Sequence, residues 1–262
     1  MQSQSALAEI NGAQLYYETA GTGEPLVFIH GFSLDTRMWD DQWGVFAQHY
    51  RVSRYDVRGF GKSSLPGDKP YAQIDDLKAL LEHLQAVPAH LVGLSMGGGI
   101  ALDFAAAYPD LVRSLVPVDA ALGGFAWTKD WGAVGSLARS IGVEAAKQSW
   151  LNDELFAPAN EQPRVAARLK EMVEDYSGCH WVSRDPGRWA YVPTIQRLEQ
   201  IRAPTLVVVG EHDLPDFHRA ADLLEQRLPN ARKVVLSGVG HMANMEAPEQ
   251  FNEIVLSFLA EV

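Results

Sequence analysis

A chain of 262 residues with 47% apolar and 21% charged side chains can bury a large core, which excludes a disordered protein. Its net charge of −11 leaves no basic stripe for phosphates, so no nucleic-acid partner is expected; the charge favours solubility and says nothing of substrate. One cysteine, Cys179, excludes an internal disulfide, and no apolar run is long enough to cross a bilayer.

In chain order, Leu15-Tyr16-Tyr17-Glu18 reads as a short strand closed by Gly21-Thr22-Gly23. Pro25 to Ile29 is a continuous apolar run, the pattern of a strand covered on both faces, and it ends at His30-Gly31-Phe32. Met38 to Tyr50 reads as a helix, Arg51 to Tyr55 as a strand, and Ile74 to Gln85 as an amphipathic helix with Ile74, Leu77, Leu80, Leu81 and Leu84 on one face. A strand at 89–92, a helix from Ile100 to Tyr108 and a strand from Leu115 to Val118 follow, the last ending at Asp119.

The alternation stops there. Residues 121–192 show no strand runs and hold five of the seven tryptophans, Trp127, Trp131, Trp150, Trp181 and Trp189. They are expected to form a helical cap inserted into a core made of residues 1–120 and 193–262. Strand (Thr205–Val209), helix (Phe217–Leu228), strand (Arg232–Leu236) and helix (Pro248–Leu259) then close the core. The expected fold is α/β, with a mostly parallel central sheet and helices on both faces. In such a sheet the chemistry collects at the carboxyl ends of the strands.

Gly93-Leu94-Ser95-Met96-Gly97 is a G-x-S-x-G pentapeptide between a strand and a helix, the context of a nucleophile elbow. Glycines two residues either side of the serine allow a backbone corner tight enough to push the hydroxyl outward. A base and an orienting acid are then needed. Asp213, in Gly210-Glu211-His212-Asp213, and His241, in Gly238-Val239-Gly240-His241-Met242, each follow a strand, and the order Ser, Asp, His is that of the elbow fold. His241 would take the Ser95 proton and pass it to the leaving group, and Asp213 would hold the imidazole. Glu211, Asp216 and Asp119 are the competing acids. The oxyanion hole is expected from the Met96 and Phe32 amides, with His30 locking the Phe32 loop by hydrogen bonding. Asp56-x-Arg58-Gly59-x-Gly61-x-Ser63 matches neither phosphate-loop spacing and is read as a turn bracing the site rim.

With HGF at 30–32, DVRGFGKS at 56–63, GLSMGG at 93–98, GEHD at 210–213 and GVGHMANMEAPEQF at 238–251, the chain resembles the α/β-hydrolase superfamily over nearly its whole length outside the cap. It looks most like the small bacterial esterases and 3-oxoadipate enol-lactonase-like hydrolases. Ser95 departs from the dehalogenases and soluble epoxide hydrolases, which place aspartate there. Leu94 and Phe32-Ser33-Leu34-Asp35 depart from the meta-cleavage C–C hydrolases. The resemblance implies a serine hydrolase that cleaves a small-molecule carboxylic ester or lactone through an acyl-enzyme. Cofactor-free perhydrolase or haloperoxidase chemistry, C–C bond hydrolysis and a receptor-like member with little turnover stay open.

No metal or organic cofactor is expected, because the eight histidines show neither H-x-x-x-H nor C-x-x-C spacing. Residues 1–6 lack a basic-then-apolar signal pattern, so no membrane partner and a cytoplasmic location are expected. The five cap tryptophans are the candidate pocket wall, together with Phe125, Phe156, Tyr176 and Tyr191. Arg139, Arg164, Arg168, Arg184 and Arg188 are the candidates to bind a substrate carboxylate. Physiological substrate and oligomeric state are not legible.

Overall fold

The computed structural model describes residues 3–183, 185–188 and 192–262. Strands and helices are numbered along the chain. Eight strands form one sheet: β1 (Ser3–Ile10), β2 (Ala13–Ala20), β3 (Pro25–Ile29), β4 (Arg51–Tyr55), β6 (Ala89–Leu94), β7 (Val112–Val118), β9 (Thr205–Gly210) and β10 (Ala231–Leu236). The two-residue strands β5 (Tyr71–Ala72) and β8 (Gly187–Arg188) pair with each other apart from that sheet. The sheet order is β1-β2-β4-β3-β6-β7-β9-β10. The β1–β2 and β2–β4 pairings are antiparallel and the rest are parallel.

Parallel neighbours need crossovers. Helix α1 (Asp40–Phe46) joins β3 to β4, α2 (Gln73–His83) lies between β4 and β6, α3 (Met96–Ala107) joins β6 to β7, and α9 (Pro215–Arg227) joins β9 to β10. Every residue of β6 and β9 is buried, so both faces of the sheet are covered there. Phe28 of β3 stacks on Trp39 at 4.8 Å and meets Phe46 edge-on at 5.3 Å, and Trp39 in turn contacts Phe251 of α11 (Pro248–Leu259). Burying one such ring stabilises the fold by about 2 kcal/mol.

Several boundaries differ from the sequence reading. The helix expected from Met38 opens instead as a 3₁₀ turn, Thr36–Trp39, because the Asp35 carboxylate accepts the Arg37 N–H and tightens the first turn before α1. Strand β1 has no apolar signature because most of it is exposed, yet it pairs with β2 residue by residue from Ser3 to Ile10. Helix α3 starts at Met96 rather than Ile100, so Gly97, Gly98 and Gly99 lie inside it.

Between β7 and β9 come α4 (Ala133–Ser140), α5 (Val143–Leu151), α6 (Ala157–Asn160), α7 (Pro163–Asp175) and α8 (Cys179–Val182). This layer, which we call the cap, also contains the short β8, where no strand was expected. Asp216, at the start of α9, holds the cap's entry by accepting from the Thr128 and Lys129 amides and the Thr128 hydroxyl. Arg164 and Arg168 of α7 both reach Asp41 of α1.

Candidate active site

Ser95 sits at φ 54°, ψ −113°, a backbone conformation that costs about 1–3 kcal/mol in a residue with a side chain. Hydrogen bonds hold it there. Its N–H donates to Val118 O at 2.8 Å, and its carbonyl accepts from Gly99 N and Ala121 N, both at 3.0 Å. The flanking glycines answer to space. A Cβ on Gly93 would lie 2.3 Å from Gly97 O, and one on Gly97 would lie 2.2 Å from Ile29 O. The corner is therefore possible only with hydrogen at both positions, and Ser95 projects into the cavity from the start of α3.

His241 follows β10, and its Nδ1 lies 2.8 Å from Asp213 Oδ2. With the carboxylate as acceptor, the proton sits on Nδ1 and the Nε2 lone pair stays free to act as a base. Asp213 is fixed in turn by the Leu214 N–H at 2.7 Å. The end of β9 and the His241 turn touch closely, since a Cβ on Gly210 would lie 2.1 Å from Gly240 O. Phe217 of α9 covers the imidazole, ring centroids 4.5 Å apart.

Two carboxyls support this pair. Glu246, in the short helix α10 (Ala243–Glu246), accepts from Gly240 N at 2.7 Å and Met242 N at 3.0 Å, clamping the turn on both sides of His241. Burial holds the Glu246 carboxyl above its ordinary range, and the two amides oppose the shift. Asp119 ends β7, almost fully buried. Its Oδ1 accepts the Gly210 N–H at 2.8 Å, while Oδ2 is buried without a hydrogen-bond partner. Burial, then the neighbouring Asp213 charge, raises its pKa well above the ordinary carboxylate value. Asp119, Asp213 and His241 each offer a ligand-type atom within 4.8 Å of the others, but Asp213 and His241 spend theirs on each other.

The loop after β3 carries Phe32. His30 locks it, as expected: Nδ1 is 2.8 Å from Gly31 O, and Nε2 accepts the Val57 N–H at 2.9 Å. That pattern places the proton on Nδ1, and burial lowers the imidazole's pKa. The turn at 56–63 braces the rim, with Asp56 accepting from Thr36 N and Lys62 N, and Arg58 pairing with Asp76 at 2.8 Å. Met96 and Phe32 both line the cavity beside Ser95. Met96 is the first residue of α3, so its N–H has no partner within the helix.

A cavity of about 410 Å³ lies between the strand ends and the cap. Ser95, His241, Phe32 and Met96 line one side, and Trp127, Trp131, Trp150, Trp181 and Phe156 line the other. Trp189, Tyr191 and Arg184 lie outside the described residues. Phe217 and Leu155 were not anticipated as lining. Of the candidate arginines, Arg139 lines the cavity, held by Trp181 O at 2.7 Å and the Ser136 hydroxyl at 3.2 Å. Arg164 and Arg168 are committed to Asp41. Glu246 left one faint signal in the sequence: a carboxylate shortly after the Gly-His turn is able to fold back onto its amides. Phe217 left none.

Residues 24–248 match the model of a family described as alpha/beta hydrolase fold. A pimeloyl-[acyl-carrier protein] methyl ester esterase of Aeromonas hydrophila is 28% identical, covering 92% of this chain and 98% of that protein. A 2-hydroxy-6-oxononadienedioate/2-hydroxy-6-oxononatrienedioate hydrolase of Paraburkholderia phymatum is 31% identical, covering 95% and 91%. Among solved structures, the enol-lactonase from Burkholderia xenovorans LB400 superposes with a TM-score of 0.87 at 27% identity, covering 97% of this chain and 100% of that one. No helix among the described residues is long and apolar enough to cross a membrane.

Proposed function

The chain belongs to the alpha/beta-hydrolase family, and we propose that within it the chain is a serine hydrolase of small carboxylic esters or lactones. The observation that carries this reading is the position of two groups on one cavity wall. Ser95 stands at a strained corner, and His241 has its Nδ1 tied to Asp213. Ser95 Oγ attacks the carbonyl carbon as His241 Nε2 accepts its proton. The Phe32 and Met96 amides receive the oxyanion, a type of contribution worth about 2.7–4 kcal/mol per donor. The tetrahedral adduct expels the alcohol, which takes the proton from His241. Water activated by the same imidazole then attacks the acyl-enzyme and releases the acid.

Residues 121–192 act in this reading as a cap over the core, shaping the pocket. The cavity is apolar and aromatic, which suits a compact acyl or alcohol group. Arg139 adds one cation to that wall, and it favours a substrate with an anionic end, such as a half-ester or a carboxylated lactone. The esterase and enol-lactonase relatives support carbonyl-oxygen cleavage, and the dienedioate hydrolase makes C–C cleavage the competing reaction.

The test is a panel of p-nitrophenyl esters, half-esters, lactones and a vinylogous diketone acid, run with wild type and Ser95→Ala. Ester or lactone turnover that falls by about 10⁴-fold or more in a folded Ser95→Ala protein is the expected result. Undiminished turnover in that variant removes the nucleophile, and turnover of the diketone alone replaces the ester reading with the C–C one.

A further inference from the structure

Ser33 is the residue after Phe32, and three features set it apart. It is fully buried, its φ is +62°, and it is not glycine. It occupies the third position of the turn Gly31–Leu34, which is closed by Leu34 N donating to Gly31 O at 3.3 Å. A positive φ at that position is the mark of a type II turn, where glycine or asparagine is usual. A serine stays in that conformation only when its surroundings hold it there.

The hold comes from the cap. The indole N–H of Trp150, on α5, donates to Ser33 Oγ at 2.7 Å across 117 positions of sequence. Both side chains are buried, so water does not compete for the bond. The indole nitrogens of Trp39 and Trp181 are also buried and have no partner, so the Trp150 contact is not what every buried indole in this chain finds. The Phe32 ring is gripped by the same layer. Its centroid lies 6.1 Å from that of Trp150, 5.6 Å from Tyr176, 5.9 Å from His180 and 6.0 Å from Trp181. The loop that carries one proposed oxyanion donor is thus anchored to the core at His30 and to the cap at Ser33 and Phe32.

We propose that Trp150 is a positioning residue for the oxyanion hole: by holding the Ser33 hydroxyl it fixes the turn at 31–34 and aims the Phe32 amide. This rests on the hydrolase reading of Ser95. In it Trp150 is more than a pocket wall. Seating of α5 and placement of the Phe32 amide are thereby coupled through one bond.

The test uses the full chain with Trp150→Phe, which keeps the ring and removes the donor, and Ser33→Gly, which removes the acceptor and adopts a positive φ freely. The double variant and Ser95→Ala are measured alongside, on the best ester of the wild type. Each single variant is expected to lose about tenfold in kcat with KM within about twofold, because the donor is misaimed rather than deleted. The double is expected to fall no more than about twofold below the lower single, since both remove one bond. Inhibition by phenylboronic acid, whose tetrahedral adduct on Ser95 mimics the oxyanion, should weaken by the same factor. Inhibition by the product acid should not change.

Melting temperatures establish that the variants fold. If Trp150→Phe does not, Ser33→Gly decides the matter by itself. Wild-type kcat in folded singles, a loss confined to KM, or losses that multiply in the double overturn the proposal. Ser95→Ala separates the two layers. If that variant keeps its turnover, the hydrolase reading fails. If it is inactive while Trp150→Phe and Ser33→Gly match wild type, only the present inference fails.

Discussion

The strand-end wall of the cavity and the cap wall opposite are built by different means. On the sheet side each polar group is fixed by neighbours close in sequence or one strand away. Ser95 is held by Val118, Gly99 and Ala121, and the His241 turn by Glu246 and the end of β9. On the cap side the wall consists of rings meeting edge-on, as Trp131 does with its near neighbour Trp127 at 5.9 Å and with Trp150 of α5 at 6.4 Å. Hydrogen bonds and backbone contacts specify position to fractions of an ångström, whereas ring contacts tolerate repacking. In the proposed hydrolase reading, chemistry therefore belongs to the first wall and substrate choice to the second, with Trp150 the exception that joins them.

The sharpest way to break that division is to compare one substitution from each wall. Asp213→Asn is isosteric, but it allows the His241 proton to settle on Nε2, the wrong tautomer for a base. The expected loss is about 10⁴-fold in kcat with KM little changed, read by steady-state kinetics. Arg139→Ala, on the cap wall, should leave kcat for a neutral ester within about twofold. It should raise KM for a carboxylate-bearing ester by about tenfold, the factor equal to 1.4 kcal/mol and to the loss of one charge-assisted contact. A kcat loss at Arg139 as large as that at Asp213 would end the separation of roles.

The same contrast explains what could be read before any coordinates. The corner at Ser95 was legible because both glycines and the serine fall within five residues, although the clash that forces glycine at 97 comes from Ile29 on the neighbouring strand β3. The Asp213–His241 pairing was legible because each residue lies in the loop that follows a strand, β9 and β10. The mostly parallel sheet followed from the alternation of strand and helix, and the start of α3 was misplaced because the glycines that pack against Ile29 and Ala120 read as turn residues. Arg139 was one of five equivalent arginines until packing sent two others to Asp41. Phe217, which covers the imidazole, and Asp216, which ties down the cap's entry, act across long stretches of sequence and leave no periodic trace. Trp150 read as one aromatic among many, because no local pattern announces a bond to residue 33.

Asp119 tests the sheet wall at its finest grain, with the smallest effect. Its Oδ1 accepts the Gly210 amide, and its Oδ2 faces a buried space beside Asp213 and His241, with Glu246 contributing further negative charge. Burial and the Asp213 charge raise its folded-state pKa above the ordinary 3.8, so the native state keeps a proton that the unfolded chain has already lost. Between those two values the native state binds more protons than the unfolded one, and stability therefore falls as pH rises through that window. Asp119→Asn keeps the acceptor for Gly210 and does not titrate. Its melting temperature relative to wild type should accordingly climb as pH rises from about 4 and then level off, with a gain at neutral pH of about 2–4 °C, the shift that about 1 kcal/mol produces in a chain of this size. Activity should stay within about threefold, because Asp213 still holds His241. A melting-temperature difference that is flat or reversed across that range would mean that Asp119 is ionised in the folded protein. A loss of kcat comparable to that of Asp213→Asn would mean that the imidazole depends on both acids.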